Sequence, residues 1–301
     1  MTLPPQLHVL IRDWLSGNNV LLQSRDGPVL VDSGYSTHSA LTLALVERVL
    51  DGAPLARLVN THGHSDHVGG NAAIREAHGC PIAFPAAEAD LVENWDTTAL
   101  LYDYADQHAP RFHVDERLHA GTTRVWGDLE WRMLAAPGHD MGALVFYNPE
   151  HRILVSGDAL WENGYGFVMP QCMAPAALPA TRATLDMIAA LDVRIVIPGH
   201  GEAFTDVRAA LDRAYRRTEA FAADDVRLAR YALKALLAFT LLARRSMAME
   251  DLPSYVQRVG IYRDMNAAVL RLPPAELAEL LVGELVRAKA VRVADGRVFA
   301  A

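Results

Sequence analysis

Three imidazoles and a carboxylate are packed into the stretch Thr61-His62-Gly63-His64-Ser65-Asp66-His67. Imidazole nitrogens and carboxylate oxygens are the donors that Zn²⁺ or another borderline ion accepts, at about 2.0–2.2 Å, and a loop can bring residues two apart onto one ion where a regular strand or helix cannot. At this chain's own His and Asp frequencies an H-x-H-x-D-H string arises by chance in about one sequence in a thousand, so the motif points to metal chemistry rather than to a solvated polar loop. Three more candidates follow apolar runs: His139 in Pro137-Gly138-His139-Asp140, Asp158 in Ser156-Gly157-Asp158, and His200 in Pro198-Gly199-His200-Gly201. Each alone would read as a capping Asp or a satisfied core His. Together with the first motif they put a metal-competent residue after each of four strands, as expected if donors collect along one edge of a sheet.

The elements that must position these residues are visible in the patterning. Leu7–Asp13, Asn19–Gln23 and Val29–Val31 alternate like strands, separated by turn chemistry at Ser16-Gly17-Asn18 and Asp26-Gly27. Ser36 to Leu50 has helical spacing and stops at Gly52-Ala53-Pro54, and Leu55–Asn60 reads as a short buried strand feeding the histidine loop. Asn71–His78 reads as a helix, Pro81–Phe84 as extended, and residues 86–104 as helical or irregular. Strands resume at Thr123–Trp126, Trp131–Ala135, Ala143–Tyr147, Ile153–Val155 and Arg194–Ile197. From about Thr205 the pattern is almost wholly helical, through Val207–Phe221, Val226–Arg244, Met249–Val259 and Pro274–Lys289. A hairpin around Asp295-Gly296 follows. No internal repeat recurs at a fixed period.

The bulk numbers narrow the class without choosing the chemistry. A length of 301 residues permits one large domain, or one of about 200 residues with a smaller companion. The net charge of −8 is concentrated before residue 205, and the tail is net basic. Two divalent ions would offset part of that acidity. The opening residues lack the basic start and apolar run of a secretion signal, which gives a cytoplasmic expectation. The apolar run at residues 235–243 is far short of the ~20 residues a membrane span needs. Cys80 and Cys172 are too few for a disulfide framework, and each reads as a small buried hydrophobe.

The run from Val31-Asp32-Ser33-Gly34 through T-H-x-H-x-D-H, G-H, G-D and P-G-H-G resembles the metallo-β-lactamase superfamily over about residues 7–204. The resemblance implies an α/β fold, a four-layer αβ/βα sandwich. It would form a catalytic domain over residues 1–222, with a smaller helical, winged-helix-like module over 223–301. It also implies a dinuclear site, with His62, His64 and His139 on one ion, Asp66, His67 and His200 on the other, and Asp158 bridging. Asp32 would be structural, satisfying loop donors near the site. Asp158 stands where zinc β-lactamases of the largest subclass carry Cys, so the chain resembles the glyoxalase II and lactonase branches more closely. Gly157-Asp158-Ala159-Leu160-Trp161-Glu162-Asn163-Gly164-Tyr165-Gly166-Phe167 lines up with the glyoxalase II pattern, except that Phe167 replaces its glutathione-contacting Arg.

Two zinc ions, with iron or manganese as alternatives, would share one water, lower its pKa and present a bridging hydroxide to a carbonyl or phosphoryl centre. Asp66 would orient that hydroxide or pass a proton to the leaving group. Tyr165 is a candidate hydrogen-bond donor to the substrate oxygen, or else a packed aromatic in a Gly-flanked turn. The expected function is therefore hydrolysis of a small ester, thioester or lactone. The alternatives are an endoribonuclease on single-stranded RNA, with the tail as its grip, and an iron-dependent oxidoreductase on the same scaffold. Arg216-Arg217 and Arg244-Arg245 give the tail only a mild basic bias. A lid or homodimer surface is therefore expected there before a nucleic-acid partner.

Overall fold

A computed structural model describes residues 2–301. Strands β1 (Leu7–Leu10), β2 (Asn19–Leu22), β3 (Val29–Val31), β4 (Arg57–Val59), β5 (Ile82–Pro85) and β6 (Glu116–Leu118) form one sheet in sequential order. A second sheet has the order β11-β10-β9-β8-β7, built from β7 (Thr123–Trp126), β8 (Leu129–Ala135), β9 (Leu144–Asn148), β10 (Ile153–Gly157) and β11 (Ile195–Pro198). The helices are α1 (Ser39–Leu50), α2 (Ser65–Val68), α3 (Asn71–His78), α4 (Ala89–Asn94), α5 (Tyr102–Ala105), α6 (Ala177–Ala190), α7 (Val207–Ala222), α8 (Asp225–Arg244), α9 (Leu252–Arg258), α10 (Gly260–Met265) and α11 (Pro274–Arg287).

Strand alternation decides the layering, because successive side chains leave opposite faces of a sheet. Val20, Leu22, Val29, Val31 and Val59 face Trp131, Met133, Phe146, Ile153 and Ile197 of the other sheet in a shared core. Their neighbours Leu21, Leu30 and Leu58 turn outward, with Ile82 and Phe84, against Val46 and Leu50 of α1 and Ile74 of α3. On the far side Val145, Leu154 and Val196 meet Leu185 and Ile188 of α6 and Ala214 and Phe221 of α7. The result is the expected four-layer αβ/βα sandwich.

A separate core lies beyond α7. It is formed by α8, α9, α10, α11 and a three-stranded sheet of order β12-β14-β13, in which β12 is Ser246–Ala248, β13 Val291–Ala294 and β14 Arg297–Ala300. The terminal hairpin is therefore present and gains a third strand that the patterning did not indicate. The helix expected over 249–259 is present as a 3-10 turn, Met249–Asp251, leading into α9, and a further short helix that the patterning did not indicate, α10, starts at Gly260. Gly260 lies against the Tyr104 ring so closely that a Cβ would sit 2.5 Å from it. Cys80 is buried as expected, whereas Cys172 is exposed. Among the described residues no helix is long and apolar enough to cross a membrane.

Candidate metal centre

Strands β8, β10 and β11 all end at one edge of the second sheet, and β4 ends beside them from the first. His139, Asp158 and His200 follow the former three, and the loop after β4 carries His62 and His64 into α2, which holds Asp66 and His67. The seven predicted donors are brought together in two groups. One ligand atom from each of His62, His64 and His139 lies within 4.8 Å of the others, and so do the atoms of Asp66, His67, Asp158 and His200. Asp158 faces both groups: its Oδ2 is 3.4 Å from His139 Nε2 and its Oδ1 is 3.4 Å from His67 Nε2. Gly199 permits this convergence, because a Cβ there would lie 2.2 Å from Asp158 Oδ1.

On His62 and His67 the free nitrogen is the one a metal would need, whereas His139 Nε2 lies 2.8 Å from His64 Nδ1 and His200 Nε2 lies 2.9 Å from Asp66 Oδ2. His62 Nδ1 lies 3.0 Å from Thr61 Oγ1 and His67 Nδ1 2.7 Å from Asp32 Oδ2. That leaves His62 Nε2 and His67 Nε2 buried without a hydrogen-bond partner. His139 Nδ1 donates to the Phe167 carbonyl at 2.5 Å, so its Nε2 faces inward. Orphaned buried ring nitrogens on a set of nitrogen and carboxylate donors fit a transition metal better than a satisfied polar core.

Charge and burial act differently on the two groups. Burial, reinforced by neighbouring imidazoles, holds His62 well below the ordinary histidine range and brings His64 down to about 4. Burial also opposes charge on His67, but Asp66, Asp158 and Asp32 outweigh it and raise His67 well above its ordinary value. Burial works to raise Asp158, yet His200 and His67 hold it well below the carboxylate range.

Asp32 satisfies loop donors as expected, accepting from Thr61 N at 2.9 Å and Thr61 Oγ1 at 2.8 Å. It also fixes the His67 ring, a long-range contact that sequence reasoning missed. Trp161 was missed as well. Its Nε1 donates to Asp158 Oδ1 at 3.1 Å, and its ring meets the His200 imidazole edge-on. Tyr165 corrects the expectation of a catalytic hydroxyl. It is buried in the core beside α7, and its hydroxyl is paired with Thr218 Oγ1 at 2.9 Å. The Gly-flanked turn packs it under the second sheet, away from the large cavity.

That cavity, about 550 Å³, opens onto both donor groups. His64, Asp66, His139, Asp158 and His200 line it. Phe167 and the α8 residues Ala235, Leu236, Ala238, Phe239 and Leu242 add apolar wall, with the Phe167 ring 5.2 Å from that of His139 and the Phe239 ring 6.0 Å from that of His200, so α8 covers the site. Lys289 is the sole lysine or arginine in the lining among the described residues, and it is exposed.

The chain is similar to a hydroxyacylglutathione hydrolase of Hyphomonas neptunium, 30% identical over 168 residues that cover 52% of this chain and 58% of the relative. It thus spans little more than half the length of that curated relative. Its structure is similar to a metallo-beta-lactamase family protein of Thermus thermophilus, 21% identical with a TM-score of 0.58 and full coverage of both chains. A protein solved in a di-iron-bound form is 27% identical over 69% of this chain and 98% of its own, with a TM-score of 0.54. The sequence model described as metallo-beta-lactamase superfamily matches residues 12–200, a span that contains all seven converging donors, and the chain belongs to that superfamily.

Proposed function

We propose that the chain is a dinuclear-metal hydrolase of small, weakly charged esters, thioesters or lactones. The observation that carries this reading is the cavity: two groups of metal donors beside apolar walls from Phe167 and α8. His62, His64 and His139 would hold one ion, Asp66, His67 and His200 the second, with Asp158 between them. Zinc suits the donors, and the di-iron relative makes iron the main alternative. When bound, two such ions lower the pKa of a water and polarise a substrate oxygen.

The chain's own residues supply the rest. Asp66 lines the cavity with one oxygen 2.9 Å from His200 Nε2, leaving the other to accept a proton and pass it to a leaving group. The α8 roof excludes water and takes the apolar part of an acyl or aryl group. We further propose that residues 223–301 act as this lid. The apolar lining does not favour RNA, whose backbone needs a basic track.

The test is hydrolysis of a panel of aryl esters, alkyl lactones and single-stranded RNA by zinc-loaded and chelator-treated protein. Metal-dependent turnover of the uncharged substrates is expected. Turnover of RNA alone would overturn the reading.

A further inference from the structure

Glu88 immediately precedes α4, is 6% exposed, and pairs with no cation among the described residues. A buried carboxyl in that position is costly unless hydrogen bonds compensate it. Its surroundings are the two loops that carry the first donor group. Gly63 N, between His62 and His64, donates to Glu88 Oε2 at 3.1 Å. On the other side Gly142 leaves no room for a side chain, since a Cβ there would lie 2.2 Å from Glu88 Cγ. The Glu88 carboxyl also neighbours that of Asp140, the residue after His139. Asp140 in turn accepts from Gly142 N at 2.7 Å and lies 3.7 Å from His64 Nε2. Tyr102 closes the arrangement by donating to the Gly63 carbonyl at 2.8 Å.

We propose that Glu88 is a positioning residue that clamps the His62–His64 loop to the His139 loop and so sets the geometry of one metal site and not the other. It touches both chain segments that carry His62, His64 and His139, through Gly63 N and Gly142, and its hydrogen bond reaches none of Asp66, His67, Asp158 or His200. Hydrogen bonds behind a ligand set tune affinity even though they never touch the ion. The proposal rests on the dinuclear reading above.

The experiment measures zinc affinity at each site by competition with a chromophoric chelator, in the full-length wild type and in Glu88→Gln, Glu88→Met and Glu88→Ala. In Glu88→Gln the amide oxygen accepts from Gly63 N and the amide nitrogen donates to Asp140, so both affinities should stay within about threefold of wild type. Glu88→Met fills the space without hydrogen bonds, and should lose about tenfold or more at one site while the other changes little. Glu88→Ala should match it, and if that variant does not fold, Glu88→Met decides by the same criterion. Two ions held as tightly in Glu88→Met as in wild type, or Glu88→Gln as impaired as Glu88→Met, would overturn the clamp alone. Wild-type protein that takes up no metal would overturn the dinuclear reading and the clamp with it.

Discussion

Asp32 Oδ2 lies 2.7 Å from His67 Nδ1, with both side chains buried, and this contact leaves His67 Nε2 aimed between Asp66 and Asp158. The carboxylate requires a proton on Nδ1 and so selects the ring form whose Nε2 can ligate. Asp32→Asn should keep the backbone, because residue 32 has φ 58° and Asn tolerates that left-handed conformation. Its amide nitrogen would donate to Nδ1 and force the proton onto Nε2. The expected outcome is a folded protein with about 10- to 100-fold weaker binding of one ion. Unchanged zinc affinity in a chelator titration would refute the orienting role.

The opposite pKa shifts of the two donor groups predict different proton release on metal uptake. His62 and His64 are neutral near pH 7, so filling their site should release no proton from them. His67 is raised, so in the metal-free protein it is an imidazolium that must deprotonate before it can ligate. Calorimetry in buffers of different ionisation enthalpy should show about one proton leaving as the second site fills. The sign for stability follows from the same shift. A raised folded-state pKa stabilises the metal-free protein fully below the ordinary histidine range, and this contribution is lost as pH rises through the raised value. The Tm of metal-free protein should therefore fall on the alkaline side more than that of zinc-loaded protein. Equal pH profiles would contradict the assignment.

Asp66→Asn should fold, since the change hardly alters shape, yet lose at least about a hundredfold in kcat because it weakens one site and removes a proton acceptor. Circular dichroism and elemental analysis separate the two effects. A folded variant with near-wild-type turnover would refute the role given to Asp66.

The seven donors were legible because their chemistry is local: histidines crowded on one loop, and Gly-flanked residues at strand ends. Most strands were legible as short apolar or alternating runs such as Asn19 to Gln23, whereas the four-layer arrangement followed from the family resemblance alone. Helix α6 went unread because its Ala-rich face, Ala177 to Ala190, carries few large apolar residues to mark the period. Tyr165 was misplaced for a different reason. Its distance along the chain from Asp158 does not say whether a turn aims it at the cavity or at Thr218. Glu88 and the second role of Asp32 were invisible because each acts on residues at least 25 positions away. The tail read correctly as helical, but nothing in its stripes distinguishes Phe239, which faces the cavity, from Leu237, which faces its own core.

Phe167 lines the cavity with its ring 6.1 Å from that of His64 and nearly parallel to it. An Arg there could form two charge-assisted hydrogen bonds to a glutathione carboxylate, together worth about 2–4 kcal/mol, or roughly a hundredfold in affinity. Phe forms none, and the exposed Lys289 is the one lysine or arginine at the cavity wall among the described residues. Zinc-loaded wild type should therefore show higher kcat/KM on uncharged aryl esters or lactones than on S-lactoylglutathione. Phe167→Arg should narrow that ratio by about ten- to a hundredfold. His139 bonds the Phe167 backbone carbonyl rather than its side chain, so metal content should be unchanged. Efficient glutathione-thioester hydrolysis by wild type would mean that Lys289 or another basic residue of the tail recognises the carboxylate, and the apolar-substrate reading would fall while the metal centre stood.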